Sequence, residues 1–383
     1  MVGSVGCSRN PGGPVTGPSG TSSRDKAITT TSMTVPKLDA RAFIPVSVIA
    51  FLIAPTFATR TPRKQAHRDM SVPTFTFNNG VEVPAIAYGT WQSPPEQLPR
   101  AVEYAIKEAG YRHIDCAWGY RNEKAVGEGI KASGIPRSEI FITSKLWGTW
   151  HQRVEQCLDE TLADLGTNYL DLYLMHWPIP LNPNGNHFMI PTRPDGSRDI
   201  DESWDIVDTW KQMEALLKKG KVRAIGVSNM SQKKLESFLP KVEVVPAANQ
   251  LELHVYNPDH ALVSYLKSEG ILVQAYSPLG SSGSPLISNG TVVKIAEKYD
   301  GLTPADVLLG WLLSKDLEVI TRSLSPERMT SNIKGSVAAS KALTQEDIEI
   351  LDGIAAAGKQ KRLVTPPWGV DLGFDNWPVK ATA

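Results

Sequence analysis

From Val72 onward the chain alternates between two periods of apolar and polar residues. Thr74-Phe75-Thr76-Phe77 and Val81-Glu82-Val83 alternate with a period of two on either side of Asn78-Asn79-Gly80. Asn-Gly between alternating runs is a strong hairpin signal, so an N-terminal β-hairpin is predicted here. Short apolar runs near 85–88, 112–115, 139–144, 170–175, 222–227, 245–250, 271–276 and 317–320 predict eight strands. Longer segments with helical spacing lie between them, near 95–109, 122–133, 151–165, 204–219, 231–239, 258–269 and 326–333. Two more, at 290–299 and 303–315, precede the last strand, and a final helix is predicted over 344–357. In 204–219, Ile206, Trp210, Met213 and Leu217 fall on one helical face. Asp201 and Ser203 are candidate N-caps for that helix, and Gly220 marks its stop. Eight strands alternating with helices predict an α/β fold with a parallel sheet. Eight such units close as a (β/α)8 barrel, the TIM-barrel architecture. A doubly wound open sheet is disfavoured because no GxGxxG follows the first strand.

Two long connections interrupt this regularity. One follows His176, at about 177–203, and the other spans 277–289, rich in Ser, Gly and Pro. They follow the fourth and seventh barrel strands, so both belong to the C-terminal face, where loops of this length are usually functional. The tail from Lys359 carries Trp368 and Trp377, and Trp368 is expected to close over a pocket on that face.

The same face collects chemistry. Asp115 falls at the end of the second barrel strand, in Tyr111-Arg112-His113-Ile114-Asp115, and Tyr120 follows in the loop. Lys145 ends the third strand and His176 the fourth. Each has an ordinary reading on its own: a loop or cap aspartate, a rim tyrosine, a solvated lysine, a core histidine. Gathered at consecutive strand ends of one barrel, they point to proton transfer. A phenol near pKa 10 is a poor donor at neutral pH, and a neighbouring ammonium lowers that value. Asp115 would hold the Lys145 ammonium, and His176 would orient a carbonyl oxygen. Such a set suits reduction of a C=O bond, with the hydride coming from a cofactor, because no side chain can supply one. The seven histidines lie apart, with no HxxxH and no His/Cys cluster, so no metal site is predicted.

Composition sets the boundaries. Of 383 residues, 41% are hydrophobic and 21% charged, which suffices for a large core. The 40 basic and 40 acidic residues cancel, but residues 1–69 hold nine Lys/Arg against three Asp. The body therefore carries a slight acidic excess, and a nucleic-acid role finds no support. Cys7, Cys116 and Cys157 form no CxxC pair or disulfide framework, which indicates a reducing compartment. Residues 1–69 are read as a disordered leader before a single domain over 70–383. The leader contains an uncharged run, Ala42 to Thr59, interrupted by Pro45, Ser47 and Pro55. It is short and broken for a membrane anchor and late for a signal peptide. A cytoplasmic protein is expected, with targeting or anchoring through residues 1–69 as the alternative.

These motifs resemble the aldo-keto reductase family over essentially all of residues 72–383. Gly110-Tyr111-Arg112-His113-Ile114-Asp115 followed by Tyr120 and Asn122-Glu123 is similar to the family's first signature. Phe141-Ile142-Thr143-Ser144-Lys145-Leu146-Trp147 and Leu172-Tyr173-Leu174-Met175-His176-Trp177-Pro178 are similar to its lysine and histidine motifs. The flavour is that of fungal aldehyde, sugar and glycerol-type reductases. The resemblance implies that Tyr120 is the general acid, tuned by Lys145 and Asp115, with His176 orienting the carbonyl.

The resemblance also implies an NADPH site. Ser228, Asn229 and Gln250 would hold the nicotinamide carboxamide, with Thr90 beside them, and Tyr276 would stack on the ring. Ser277, Leu279 and Ser281 would line the pyrophosphate. Arg322, Ser323, Arg328 and Asn332 would take the adenosine phosphate, where the family's common Pro-Lys-Ser reads Thr321-Arg322-Ser323. Ser331 stands where a Glu is common beside the adenine. Trp91, Trp118, Trp147 and Trp177 are candidate substrate walls, together with His176, and Trp118 replaces a histidine found in several relatives. The implied activity is NADPH-dependent reduction of an aldehyde or ketone, an oxidoreductase acting on a small-molecule carbonyl as a monomer or weak dimer. Two alternatives stand: a reductase dedicated to a specialised pathway, acting on a 2-keto acid or polyketide intermediate, and a non-catalytic NADPH-sensing subunit.

Overall fold

The computed structural model of the chain describes residues 72–378. The leader and its apolar run at 42–59 lie outside the described residues. Among the described residues, no helix is long and apolar enough to cross a membrane.

The expected hairpin is present: β1 (Thr74–Thr76) pairs antiparallel with β2 (Glu82–Pro84). Gly80 turns between them at φ +82°, a left-handed conformation that glycine adopts without strain. Phe77 and Val83 from this unit pack on Phe141, Leu172 and Ala248, near the starts of barrel strands. Phe77 meets Phe141 edge to face at 6.1 Å. The hairpin is therefore a stopper for the N-terminal mouth of the barrel.

Eight parallel strands close that barrel. They are β3 (Ile86–Gly89), β4 (His113–Asp115), β5 (Phe141–Leu146), β6 (Leu170–Met175), β7 (Val222–Ser228), β8 (Ala248–Glu252), β9 (Leu272–Tyr276) and β10 (Glu318–Thr321). Neighbours in sequence are neighbours in space, and β10 pairs with both β9 and β3. Every residue of β5 and β6 is buried, as expected for strands covered on both faces. The outer layer consists of α1 (Leu98–Lys107), α2 (Glu123–Ser133), α3 (Val154–Leu165), α4 (Ile206–Lys218), α5 (Gln232–Phe238) and α6 (His260–Ser268). It continues through α7 (Gly290–Ala296), α8 (Pro304–Ser314), α9 (Pro326–Ala342) and α10 (Gln345–Asp352).

Three boundaries differ from expectation. The N-cap of α4 is Asp205, whose side chain accepts from Val207 N at 2.9 Å. Asp201 instead closes its own turn, accepting from Ser203 N at 3.1 Å. Helix α9 runs nine residues past its predicted end. Its small residues read as a break but serve close packing: a Cβ on Gly310 would meet Ala339 Cβ at 2.5 Å, and one on Gly335 would meet Asp306 at 1.9 Å. Helix α10 stops at Asp352, and a kinked turn over Ala355–Lys359 follows, broken by Gly358 at φ +83°.

Candidate active site

Asp115 is the last residue of β4, and Lys145 lies one residue before the end of β5. Both point inward. Lys145 is fully buried, a position that an ammonium tolerates only when paired. Its Nζ donates to Asp115 Oδ1 at 2.6 Å and to the Cys116 carbonyl at 2.7 Å. The Tyr120 hydroxyl lies 3.5 Å from the same nitrogen. Tyr120 is held by a 3-10 turn, Trp118–Tyr120, that follows β4. Gly119 in that turn makes room for Trp147: a Cβ there would meet the indole at 2.6 Å. The His176 ring, just past β6, faces Tyr120 edge to face at 5.6 Å and Trp147 at 5.3 Å.

The electrostatics differ from expectation in one respect. Burial pushes the Tyr120 phenol well above its usual value, and the Asp115 carboxylate and the Cys116 thiol add to the effect. Tyr120 as a whole is half-buried and lines the cavity. The lowering expected from Lys145 does not prevail over burial and the two neighbouring acid groups. Tyr120 is thus held protonated, in the form that can give a proton. Burial also lowers His176 well below the usual histidine value, and Lys145 lowers it further. The imidazole is neutral, and its Nδ1 is buried with no hydrogen-bond partner among the described residues. A neutral ring with one N–H suits hydrogen bonding to a carbonyl oxygen.

Behind these groups runs a polar chain that the pattern analysis missed. Gln250 Nε2 donates to Asp115 Oδ2 at 2.8 Å and lies 3.2 Å from Gln274 Oε1. Gln274 Nε2 donates to Glu318 Oε2 at 2.7 Å, and Glu318 Oε1 lies 2.8 Å from His113 Nδ1. The available signal was polar residues inside apolar strands, Gln274 in Leu-Val-Gln-Ala-Tyr and Glu318 in Glu-Val-Ile-Thr. Beside Lys145, Glu123 opens α2 and is buried, accepting from the Ser144 and Thr161 hydroxyls. Burial raises its carboxyl to about 7.

A cavity of about 750 Å³ opens above this floor, a size suited to a ligand site. Asp115, Tyr120 and His176 line its bottom, and Trp91, Trp147 and Trp177 its walls. Buried Thr90 also lines the cavity, its hydroxyl bonded to the Asp115 carbonyl at 2.9 Å. Ser228, Asn229 and Gln250 line one side. Asn229 Nδ2 donates to the His176 carbonyl at 3.0 Å, and the Tyr276 hydroxyl donates to Asn229 Oδ1 at 2.8 Å. Tyr276, Ser277, Leu279 and Ser281 follow, and Arg322, Ser323 and Arg328 form the far end. Arg322 is tied to the Gln92 carbonyl at 2.7 Å and to Ser93 Oγ at 3.2 Å.

Three expected residues are not on the cavity wall. Lys145 lies behind it. Trp118 is buried toward α3: its indole N–H donates to Glu160 Oε2 at 2.8 Å, its ring packs edge-on against Trp150, and Arg121 covers it at 4.4 Å. Trp118 therefore supports the Tyr120 turn from outside instead of forming a substrate wall. Asn332 is buried near Tyr111. Trp368 does reach the cavity, packing on Trp147 at 6.0 Å and Trp177 at 5.4 Å. The tail that carries it is pinned by buried Glu252 at the end of β8, which accepts from Leu363 N at 2.5 Å and Val364 N at 3.2 Å.

Comparison with known proteins agrees with this geometry. The Aldo/keto reductase family profile matches residues 85–356. The chain belongs to the aldo/keto reductase family. It is 46% identical over 312 residues to a D-galacturonate reductase of Hypocrea jecorina, covering 80% of this chain and 99% of the relative. It is 42% identical over 305 residues to a glycerol 2-dehydrogenase (NADP(+)) of Saccharomyces cerevisiae, covering 78% of this chain and 96% of the relative. Among solved structures, an aldose reductase from Schistosoma japonicum superposes with a TM-score of 0.71 at 36% identity, covering 81% of this chain and 100% of that one. This aldo/keto reductase thus has the barrel of its structural relatives, and its Asp115, Tyr120, Lys145 and His176 meet at one end of that barrel.

The donor set of the cavity fits a phosphorylated dinucleotide. Two guanidiniums, Arg322 and Arg328, stand at one end beside the 17-residue helix α9, whose N-terminus attracts anions. The hydroxyls of Ser277 and Ser281 lie midway, and the amides of Asn229 and Gln250 lie next to Tyr120. Guanidinium, hydroxyl and amide donors thus line the same cavity.

Proposed function

We propose that this aldo/keto reductase reduces an aldehyde or ketone to the alcohol, using NADPH. The observation that supports this best is the placing of Tyr120, whose protonated hydroxyl stands beside the buried Lys145–Asp115 pair and the neutral His176 ring. When bound, the reduced nicotinamide supplies the hydride that forms the new C–H bond.

In this reading His176 donates a hydrogen bond to the carbonyl oxygen and fixes its position. Tyr120 passes its proton to that oxygen as the C=O π pair moves onto it, which completes the hydroxyl. The Lys145 ammonium, 3.5 Å away, stabilises the phenolate left behind. Asp115 holds that ammonium in place, and Gln250 fixes Asp115. Ser228, Asn229 and Gln250 orient the nicotinamide amide, Tyr276 supports its ring, and Arg322 and Arg328 read the 2′-phosphate. Trp91, Trp147, Trp177 and Trp368 exclude water from the reacting carbon, which strengthens each of these interactions.

The test is steady-state NADPH oxidation with a panel of aldehydes, ketones and keto sugars. Saturable turnover of an aldehyde with NADPH is expected. Cofactor binding without turnover of any panel member contradicts the reading and would make the chain a cofactor-binding subunit.

A further inference from the structure

Arg198 is the cation of this cavity that neither the catalytic set nor the cofactor reading uses. The cavity wall has three cationic residues, and the other two, Arg322 and Arg328, stand at the far end. Arg198 belongs to the substrate end. Its guanidinium lies over the Trp368 ring at 5.9 Å, Trp368 packs on Trp147 at 6.0 Å, and Trp147 faces His176 at 5.3 Å.

Among the described residues, no acid pairs with this guanidinium. Its Nε is buried with no hydrogen-bond partner among the described residues. The acids nearest in sequence are engaged elsewhere: Asp195 accepts from Ser197, Asp201 accepts from Ser203 and Gln152, Asp199 and Glu202 face Arg193 at 3.7 and 3.3 Å, and Asp199 also accepts from Asn182 at 2.8 Å. Burial alone pulls the guanidinium below its usual value, and no neighbouring charge offsets the effect. An unpaired, partly buried cation is costly unless a ligand completes it.

Its position is also built. The long connection after β6 folds back on itself, with Thr192 bridged antiparallel to Arg198 and Leu181 to Ile200. Arg193 N donates to the Ser197 carbonyl at 2.8 Å, closing the tip. Arg198 thus sits on a paired segment next to Ile190 and Trp368 of the cavity wall.

We infer that Arg198 is a carboxylate-binding residue, and that the preferred substrates are carbonyl compounds with an anionic group at the end of the molecule remote from the carbonyl. This inference rests on the carbonyl-reductase reading. The guanidinium fork offers two N–H groups to one carboxylate, a geometry a lone ammonium cannot match. Along the ring wall Arg198 is two indoles removed from the His176 imidazole, so carboxylate and carbonyl must be separated by several bonds. A uronic acid or a semialdehyde acid has its two groups separated in this way, and a 2-keto acid, with adjacent groups, does not.

The test compares 4-carboxybenzaldehyde with methyl 4-formylbenzoate, which share a skeleton and differ in charge. The parent enzyme with NADPH is expected to show kcat/KM at least about tenfold higher for the acid, with Arg198→Ala abolishing that ratio and Arg198→Lys keeping part of it. In parallel, the corresponding alcohols are titrated into the NADP-loaded proteins and followed by tryptophan fluorescence. The parent is expected to bind the acid alcohol more tightly by the same order, and Arg198→Ala to bind both alike. Equal use of acid and ester by the parent, or an acid preference that survives in Arg198→Ala, overturns the inference while leaving carbonyl reduction standing. An anion preference in binding with no turnover of either aldehyde supports the Arg198 site and contradicts the reductase reading instead.

Discussion

Lys145 Nζ lies 2.6 Å from Asp115 Oδ1, and both side chains are almost wholly removed from water. Such a pair is held together by the cost of separating it. Removing one partner leaves a buried charge and costs about 3–5 kcal/mol. Lys145→Met is therefore expected to lower the melting temperature markedly, and Asp115→Asn/Lys145→Met to recover much of it while remaining inactive. Thermal denaturation of both variants checks this, and a double variant no more stable than Lys145→Met contradicts it.

Glu123 gives stability a distinct pH dependence. Its carboxyl is raised from 4.5 to about 7 by burial. A raised carboxyl holds its proton in the folded chain after the unfolded chain has lost it. Its contribution is therefore fully present below about 4.5 and is lost as pH rises through about 7. Over that window the parent is expected to lose roughly 3 kcal/mol relative to Glu123→Gln, whose amide cannot ionise. Urea denaturation at several pH values reads the difference, and parallel curves for the two proteins contradict it.

Arg322 is expected to discriminate between cofactors. A guanidinium–phosphate hydrogen bond contributes about 1.5–3 kcal/mol. Arg322→Ala is expected to weaken NADPH by roughly 10- to 150-fold and NADH far less. Fluorescence titration with each cofactor measures both losses, and equal losses mean that Arg322 does not read the 2′-phosphate. Its present bonds to the Gln92 carbonyl and Ser93 hydroxyl hold the side chain at the cavity wall, and among the described residues it has no carboxylate partner.

The leader is expected to be dispensable. Every sequence motif and every described element of the barrel lies beyond Met70. A chain beginning at Met70 is expected to match the full-length protein in melting temperature and kcat/KM. Loss of folding or activity on truncation would mean that residues 1–69 pack on the barrel.

The barrel was legible because each strand is a short apolar run ended by turn residues, and the period changes sharply at each helix. Asp115, Lys145 and His176 were legible as polar residues at the ends of such runs. The small-residue part of α9 was not, because Gly335 and Ala339 mark close contact with α8 and read locally as a break. The place of Trp118 was not legible, because only the fold shows Glu160 waiting behind the indole. The phenol's shift was misjudged because local charge was weighed without burial. Arg198 carried no pattern at all. Its meaning comes from an unanswered guanidinium in a cavity, which only the packed structure reveals.

The central claim is that Tyr120 delivers the proton, and the most direct test is the turnover of Tyr120→Phe at saturating NADPH. The substitution removes one oxygen and leaves the ring against His176. General acid catalysis contributes about 10²–10⁴-fold. A fall of at least about a hundredfold in kcat with an aldehyde is predicted, with NADPH affinity and melting temperature unchanged. Turnover within a few-fold of the parent, with the same cofactor affinity, would contradict the assignment.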